Sequence, residues 1–318
     1  MGQSSSISEA KKNHNIAVAI PCYNEALTIA KVINDFRNVL QDVPVHIFDN
    51  NSTDDSVEIA KKEGAIVHHV RKQGKGNVMQ VIFDTIDTDG LIVVDGDDTY
   101  YAEDAPKLLG PILKGEADMV VGNRLPNATD DSMRRLHQFG NKLIVSTINR
   151  IFKTGYLDIL SGYRVFSRRF IKSVPLLTPG FETETELTLQ ALEKGLDVLE
   201  IPIRYRNRPE GSESKLRSFR DGYRIILTAG LLLRDHQPIR LFGTLSLFCF
   251  LLSALAAVLR ILNFIGSVKL PNEVLTGTII IFSPIAIVSL AIGLILNAIN
   301  TRFREMNQII GRRSKTIF

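Results

Sequence analysis

Two cysteines, Cys22 and Cys249, are all that this chain of 318 residues carries. So few exclude a disulfide framework and a thiolate metal cluster, and they suit a reducing compartment. His68, His69, His137 and His236 share no ligand spacing, so a histidine metal centre has no sequence support either. Residues 1–14 lack the apolar core of a secretory signal and read as a disordered polar leader. Gly2 and Ser6 do fit the short pattern for N-myristoylation. There is no internal repeat and no low-complexity tract beyond the leader, which excludes a solenoid. There is also no strong charge imbalance. A formal net charge of +4 and a pI near 9.0 do not point to nucleic acid. They suit an anionic membrane surface or a phosphate-bearing substrate.

Long apolar runs are absent up to about Pro238 and abundant after it. Two segments, about 239–262 and 274–299, each hold about 20 residues without an internal charge, enough to cross a hydrocarbon layer roughly 30 Å thick. Nearly every helical face in them is apolar, which argues against a pair of core helices in a soluble domain. Pro284 is tolerable in a membrane helix. Arg234 and Arg240 precede the first span, and Arg302, Arg304, Arg312, Arg313 and Lys315 follow the second. The positive-inside rule then puts both termini and the large N-terminal part in the cytoplasm of an inner-membrane protein with two spans. Residues 218–237 mix leucine and isoleucine with Arg220, Arg224 and Arg234, the pattern of an amphipathic helix lying at the membrane face.

Residues 15–217 alternate short apolar runs with helical patterns. NIAVAIPC, VHIFD, AIVHHV, GLIVV and ADMVVGN read as strands; a helix carries Ile29, Val32, Ile33 and Phe36 at helical spacing. Alternation of this kind predicts an α/β domain with a mostly parallel central sheet. Ligands of such sheets bind at the carboxyl ends of the strands. The polar clusters Tyr23-Asn24-Glu25, Asp49-Asn50-Asn51, Asp95-Gly96-Asp97-Asp98 and Asn123-Arg124 all fall at such ends.

In VVDGDDTY three carboxylates crowd behind a buried strand, where like charges repel. Asp95 and Asp97 flank Gly96, which permits close backbone approach. The cluster could hold Mg2+ or Mn2+ together with a diphosphate, could serve as an acid/base pair, or could supply the cap of a following helix through Asp98 or Asp104. Its place on a convergent rim favours metal and diphosphate.

PCYNEALTI, FDNNSTD, GKGN, VVDGDDTY, VGNR, SGYRVF, GFETETELT and RPEGSESKLRSFRDG follow one another in this order. Together they resemble the motifs of family 2 glycosyltransferases. More narrowly they resemble the branch that moves a sugar from a nucleotide sugar to a polyprenyl phosphate, such as dolichyl-phosphate mannose synthases and undecaprenyl-phosphate glucosyltransferases. The resemblance covers about residues 15–235 and implies a GT-A fold, inverting chemistry and a divalent metal. It implies nucleotide-sugar contacts from Pro21, Tyr23, Glu25, Asp49, Lys75, Asp95 and Gly96, and metal ligation by Asp95 and Asp97. Arg124 matches a basic position beside the transferring phosphates, Glu182 and Glu184 a motif facing the sugar, and Ser214 and Lys215 a loop over the acceptor phosphate. Where relatives usually have Asp-Asp-Gly, this chain has Asp49-Asn50-Asn51, which leaves the donor open between a UDP-hexose and GDP-mannose.

A lipid phosphate has a second pKa of about 6, so near neutrality it needs little help from a base. Asp97, Arg124 and Lys215 are the residues expected to carry catalysis. Arg124, Arg135, Arg208, Ser214 and Lys215 are expected to hold the acceptor phosphate, with Arg134, Arg164 and Arg206 as further candidates. Homo-oligomerisation is left open. A polysaccharide-extending transferase and a non-catalytic nucleotide-sugar binder are the competing readings; a transporter is disfavoured because the spans carry no charge pathway.

Overall fold

The computed structural model describes residues 14–124, 135–176, 183–209, 231, 234–235, 237–266 and 270–315. The chain divides into two units, Met1–Arg224 and Ile225–Phe318.

The first unit is built on seven strands. These are β1 (Ile16–Cys22), β2 (Val45–Asp49), β3 (Ile66–His69), β4 (Gly90–Val93), β5 (Met119–Asn123), β6 (Arg164–Ser167) and β7 (Val198–Pro202), in the order β3-β2-β1-β4-β6-β5-β7. The five expected strands are present and mutually parallel. β6 enters antiparallel between β4 and β5, with Val93 opposite Arg164 and Val121 opposite Arg164 from the other side. β7 closes the sheet parallel to β5.

The sheet is apolar on both faces because helices cover both. Side chains alternate along each strand. Val18, Ile20, Ile47, Ile92, Val120 and Val165 face one layer; Ala17, Ala19, Phe48, Leu91, Val121 and Phe166 face the other. Against the first pack α1 (Ile29–Val39), through Ile29, Val32, Ile33 and Phe36, and α4 (Ala105–Leu113), through Leu108, Leu109 and Ile112. α2 (Ser56–Lys62) adds Ala60 to this layer. Against the second pack α3 (Lys75–Thr85), through Val78, Met79, Ile82 and Phe83, α6 (Arg168–Ser173), through Phe170 and Ile171, and α7 (Thr183–Glu193), through Leu187 and Ala191. The 3.6-residue repeat read from α1 is thus the face that is buried. Truncating Phe36 to alanine would cost about 3–5 kcal/mol. α5 (Arg135–Phe152) buries Val145 and Ile148. Tyr163 and Phe166 are fully buried core residues.

The second unit contains a pair of long helices, α8 (Pro238–Phe264) and α9 (Asn272–Lys315). α8 and residues 272–303 of α9 are each long and apolar enough to cross a membrane. Their contact is a seam of small residues. Ser246, Cys249, Ser253 and Ala256 are buried at spacings of three and four, the knobs-into-holes interval. Ala286, Ser289 and Gly293 are the buried small residues of α9, and Ser246 Oγ donates to Ala286 O at 2.7 Å. A Cβ on Gly293 would stand 3.0 Å from Phe242 Cβ. Away from the seam, Phe248, Phe250, Leu251, Ile261, Ile280, Ile287 and Leu294 are exposed. The expected amphipathic helix at 218–237 lies largely outside the described residues, as do Ser214 and Lys215.

Candidate active site

β1, β2, β4 and β5 run in one direction, so their carboxyl ends share an edge of the sheet. All four polar clusters expected at strand ends lie on that edge. Cross-connections bind them together. Thr28 Oγ1 donates to Gly96 O at 2.6 Å, and Lys31 Nζ lies 2.9 Å from Asp98. The Glu25 amide donates to Ser56 Oγ at 2.8 Å, while Asn24 Oδ1 accepts from the Thr53 amide at 2.7 Å. Pro21 is paired in register with Phe48, and Tyr23 stands half exposed on the rim. Asp49, buried at the end of β2, accepts from the Ser52 amide and faces His69 Nδ1 at 3.2 Å.

The crowding of negative charge after β4 is resolved by matched cations. Lys75 Nζ is 2.6 Å from Asp95 and 2.6 Å from Glu184. Arg208 is 2.5 Å from Asp97, and Arg206 pairs with Asp98. Arg124 forms a two-pronged pair with Asp158, Nε and Nη2 at 2.8 and 2.9 Å, and its amide donates to the same carboxylate. Five acids and five bases thus share one rim: Asp95, Asp97, Asp98, Asp158 and Glu184 with Lys31, Lys75, Arg124, Arg206 and Arg208. Burial alone would push the Asp95 carboxyl up; Lys75, then Arg208 and Arg124, overcome it and hold Asp95 below the ordinary carboxylate value. Burial would lower the Lys75 ammonium, but Asp95 and Glu184 raise it on balance. Asp158, likewise desolvated, is held down by Arg124. Pairing thus outweighs desolvation at Asp95, Lys75 and Asp158 and favours the charged form of each.

Glycines let these groups meet. A Cβ at Gly96 would crowd Ile20 at 3.3 Å. A Cβ at Gly162 would fall 2.1 Å from Asp95 Oδ2, so the β6 approach in SGYRVF must be glycine for Asp95 to occupy its place. Asn51 stands where the resembling family has glycine, and its φ of +65° is the reason: the left-handed region admits glycine and asparagine with least strain.

Several expectations change. Arg164 does not reach the rim as an acceptor-binding cation. It is 2% exposed and donates to Ser161 O at 3.0 Å, Thr188 Oγ1 at 3.1 Å and Ile159 O, stapling β6 to α7. Burial holds its guanidinium down to about 10. The cap reading of the acidic cluster also gives way. Asp104 precedes α4 but accepts from the Arg204 amide instead of capping, and Asp98 turns to Lys31 and Arg206. Glu184 lies in the first turn of α7 and pairs with Lys75. Lys75 is the first residue of α3. Arg135 begins α5, whose first turn has no described side chains; Arg134 and Glu182 lie outside the described residues. Cys22 is no nucleophile, since burial pushes its thiol up to about 12.

Asp158 and Tyr205 carried no signal in the sequence, and Tyr100 and Gly162 stood inside quoted motifs without a role assigned to them. Tyr100 OH accepts from the Gly162 amide at 3.0 Å, and the Arg124 guanidinium lies 5.4 Å from the Tyr205 ring centre. Glu200 on β7 receives the amides of Leu157 and Asp158 at 2.7 and 2.8 Å, fixing the turn that presents Asp158. Asp158, Glu200 and Tyr205 lie outside every quoted motif, whereas VVDGDDTY ends on Tyr100 and SGYRVF contains Gly162.

Asp95 and Asp97 are hard oxygen donors of the kind Mg2+ and Mn2+ prefer. Among the described residues no group of three or more His, Cys, Asp or Glu side chains converges on one point. Two carboxylates suit an ion that draws its remaining ligands from water and substrate phosphates, so the donor set fits.

Comparison with known proteins agrees with this geometry. The family model for glycosyl transferase family 2 matches residues 17–174. Glycosyltransferase AglJ of Haloferax volcanii is 36% identical over 235 residues, covering 72% of this chain and 75% of that protein. A dolichyl-phosphate hexose transferase of the same organism is 29% identical over 208 residues, covering 65% of this chain and 89% of that protein. The crystal structure of glucosyl-3-phosphoglycerate synthase of Mycobacterium tuberculosis superposes with a TM-score of 0.59 at 24% identity, over 72% of this chain and 84% of that one. That likeness shows the GT-A fold. With a paired-charge rim at the sheet's carboxyl edge and relatives matched over most of its length, this chain belongs to glycosyltransferase family 2 and is a glycosyltransferase.

Proposed function

We propose that the protein transfers one sugar from a nucleotide sugar to a polyprenyl phosphate, with inversion at the anomeric carbon, at the cytoplasmic face of a membrane. A UDP-hexose is the favoured donor and GDP-mannose the alternative. The observation that carries this reading is the presence in one chain of a rim of paired charges at the sheet's carboxyl edge and a helical pair whose outward faces are apolar. The printed names of relatives support the acceptor: a dolichyl-phosphate hexose transferase and a polyprenol monophosphomannose synthase. A glucosyl-3-phosphoglycerate synthase of the same fold, crystallised with Mn2+ and UDP-glucose, supports the donor class.

Asp49 and Tyr23 would receive the nucleoside at the ends of β2 and β1. Asp95 and Asp97 would hold Mg2+ or Mn2+, which supplies positive charge beside the departing diphosphate. Lys75 would exchange part of its pairing with Asp95 and Glu184 for phosphate oxygens. Arg124, pre-oriented by Asp158, would face the transferring phosphates without losing side-chain freedom at that moment. An acceptor phosphate oxygen attacks the anomeric carbon from the side opposite the diphosphate; the bond to the diphosphate breaks and its electron pair leaves with that group. The acceptor arrives already ionised, so no dedicated base is required. Arg208, Ser214, Lys215 and Arg135 are the proposed acceptor contacts. Arg302, Arg304, Arg312 and Arg313 in the C-terminal part of α9, with Arg234 and Arg240 around the start of α8, would fix both termini in the cytoplasm.

The test is nucleoside diphosphate release by detergent-purified protein across a panel of UDP- and GDP-sugars. Release that needs both polyprenyl phosphate and a divalent ion supports the proposal. Release indifferent to the lipid contradicts it.

A further inference from the structure

Asn50 follows β2 directly and is buried. Its carboxamide is turned entirely on the segment that leads from β3 to α3. The nitrogen donates to Val70 O at 2.9 Å and to Lys72 O at 2.8 Å, and the oxygen accepts from the Gly74 amide at 2.7 Å. Asn51 adds bonds to Arg71 O at 3.0 Å and Gln73 Oε1 at 3.1 Å. Gly74 has a φ of +129°, a conformation that side-chain-bearing residues rarely adopt, and the next residue is Lys75. Helix α3 therefore starts from a strap tied down along its length, and its first side chain places an ammonium between Asp95 and Glu184.

We propose that Asn50 is a positioning residue for Lys75: by fastening residues 70–74 it sets where α3 begins and so where the Lys75 ammonium lies. The inference rests on the proposed function only for what that placement contributes to turnover. The chemistry requires a carboxamide. Both of its N–H groups are spent on backbone carbonyls, and its oxygen is spent on an amide. An aspartate of the same shape would turn an oxygen towards Val70 O and Lys72 O, replacing two attractions by repulsions and leaving both carbonyls without that donor.

The experiment uses the full-length protein in detergent. Lysines are acetylated with a limiting amount of acetic anhydride, and modification at each site is quantified by peptide mass spectrometry. Lys31 is the internal standard, because it too is paired with two carboxylates, Asp35 and Asp98, but from α1. In Asn50→Asp, labelling of Lys75 is expected to rise about fivefold, the equivalent of one lost hydrogen bond, while Lys31 stays constant. Asn50→Ser, which keeps one hydroxyl donor, is expected to give a smaller rise with the same selectivity. If Asn50→Asp proves too unstable, the serine variant decides. Unchanged Lys75 labelling, or equal rises at Lys75 and Lys31 in both variants, overturns the proposal. A wild type that consumes no nucleotide sugar would sink the proposed function and leave this labelling pattern readable.

Discussion

In the α/β unit, charged groups are drawn together at one edge and each is met by an opposite charge. In the helical unit the contact surface holds almost no charge and is made of serine, alanine, cysteine and glycine. The difference follows from the surroundings each must satisfy. A rim that handles anionic substrates needs fixed cations, and fixed cations need buried acids to hold them. A helical pair whose outer faces are apolar gains nothing from more apolar surface between its helices, so close packing of small residues does the joining. Chemistry and attachment are thus separable, and substitutions can test that separation.

The largest effect is expected at Asp97. Asp97→Ala should reduce sugar transfer by about a thousand-fold or more while circular dichroism shows a folded protein. Activity near the wild-type level would remove Asp97 from the site. Asp158→Asn leaves Arg124 buried without its counter-charge, and should cost about 3–5 kcal/mol of stability in thermal unfolding as well as most transfer. A stable, active variant would show that Arg124 does not depend on its clamp. Lys215→Ala should raise the KM for the lipid acceptor roughly tenfold and leave that for the donor, a loss of about one charge-assisted hydrogen bond. An unchanged acceptor KM would separate Lys215 from the acceptor.

On the other side of the comparison, Gly293→Val forces a side chain against Phe242 and should destabilise the α8–α9 pair by about 1–3 kcal/mol in detergent. An unaltered melting profile would show that the seam is loose. The smallest effect concerns the β2–β3 edge. His46 Nδ1 and His68 Nε2 are 2.9 Å apart, and His68 stacks on Phe48. Burial lowers both imidazoles, with His68 further lowering His46. The unfolded chain therefore binds protons first, and stability should fall as pH drops below the unfolded imidazole value of about 6.5. His68→Phe keeps the stack and should flatten the change in melting temperature between neutral and mildly acid pH. An equal slope in that variant would assign it elsewhere.

Much of this molecule was legible in sequence. β1, β2, β4 and β5 announce themselves as apolar runs that stop at polar clusters, and the parallel alternation puts those clusters on one edge. The two long helices were visible from length and absence of charge. β6 was not, because RVFS is short and opens on an arginine whose burial depends on partners from three separate segments. Asp158 and Glu200 escaped for a related reason. Each is a lone acid whose meaning lies in a contact with a distant stretch, Arg124 for one and the 157–158 turn for the other. Pairing of Lys75 with Glu184 is likewise a product of the fold that no local pattern encodes.

The most direct measurement is the mass of the product. Purified protein, undecaprenyl phosphate, a divalent ion and the donor that supports nucleotide release should yield a lipid heavier by a single sugar residue. A polymer ladder, or a glycosylated product that carries no lipid phosphate, would contradict the account.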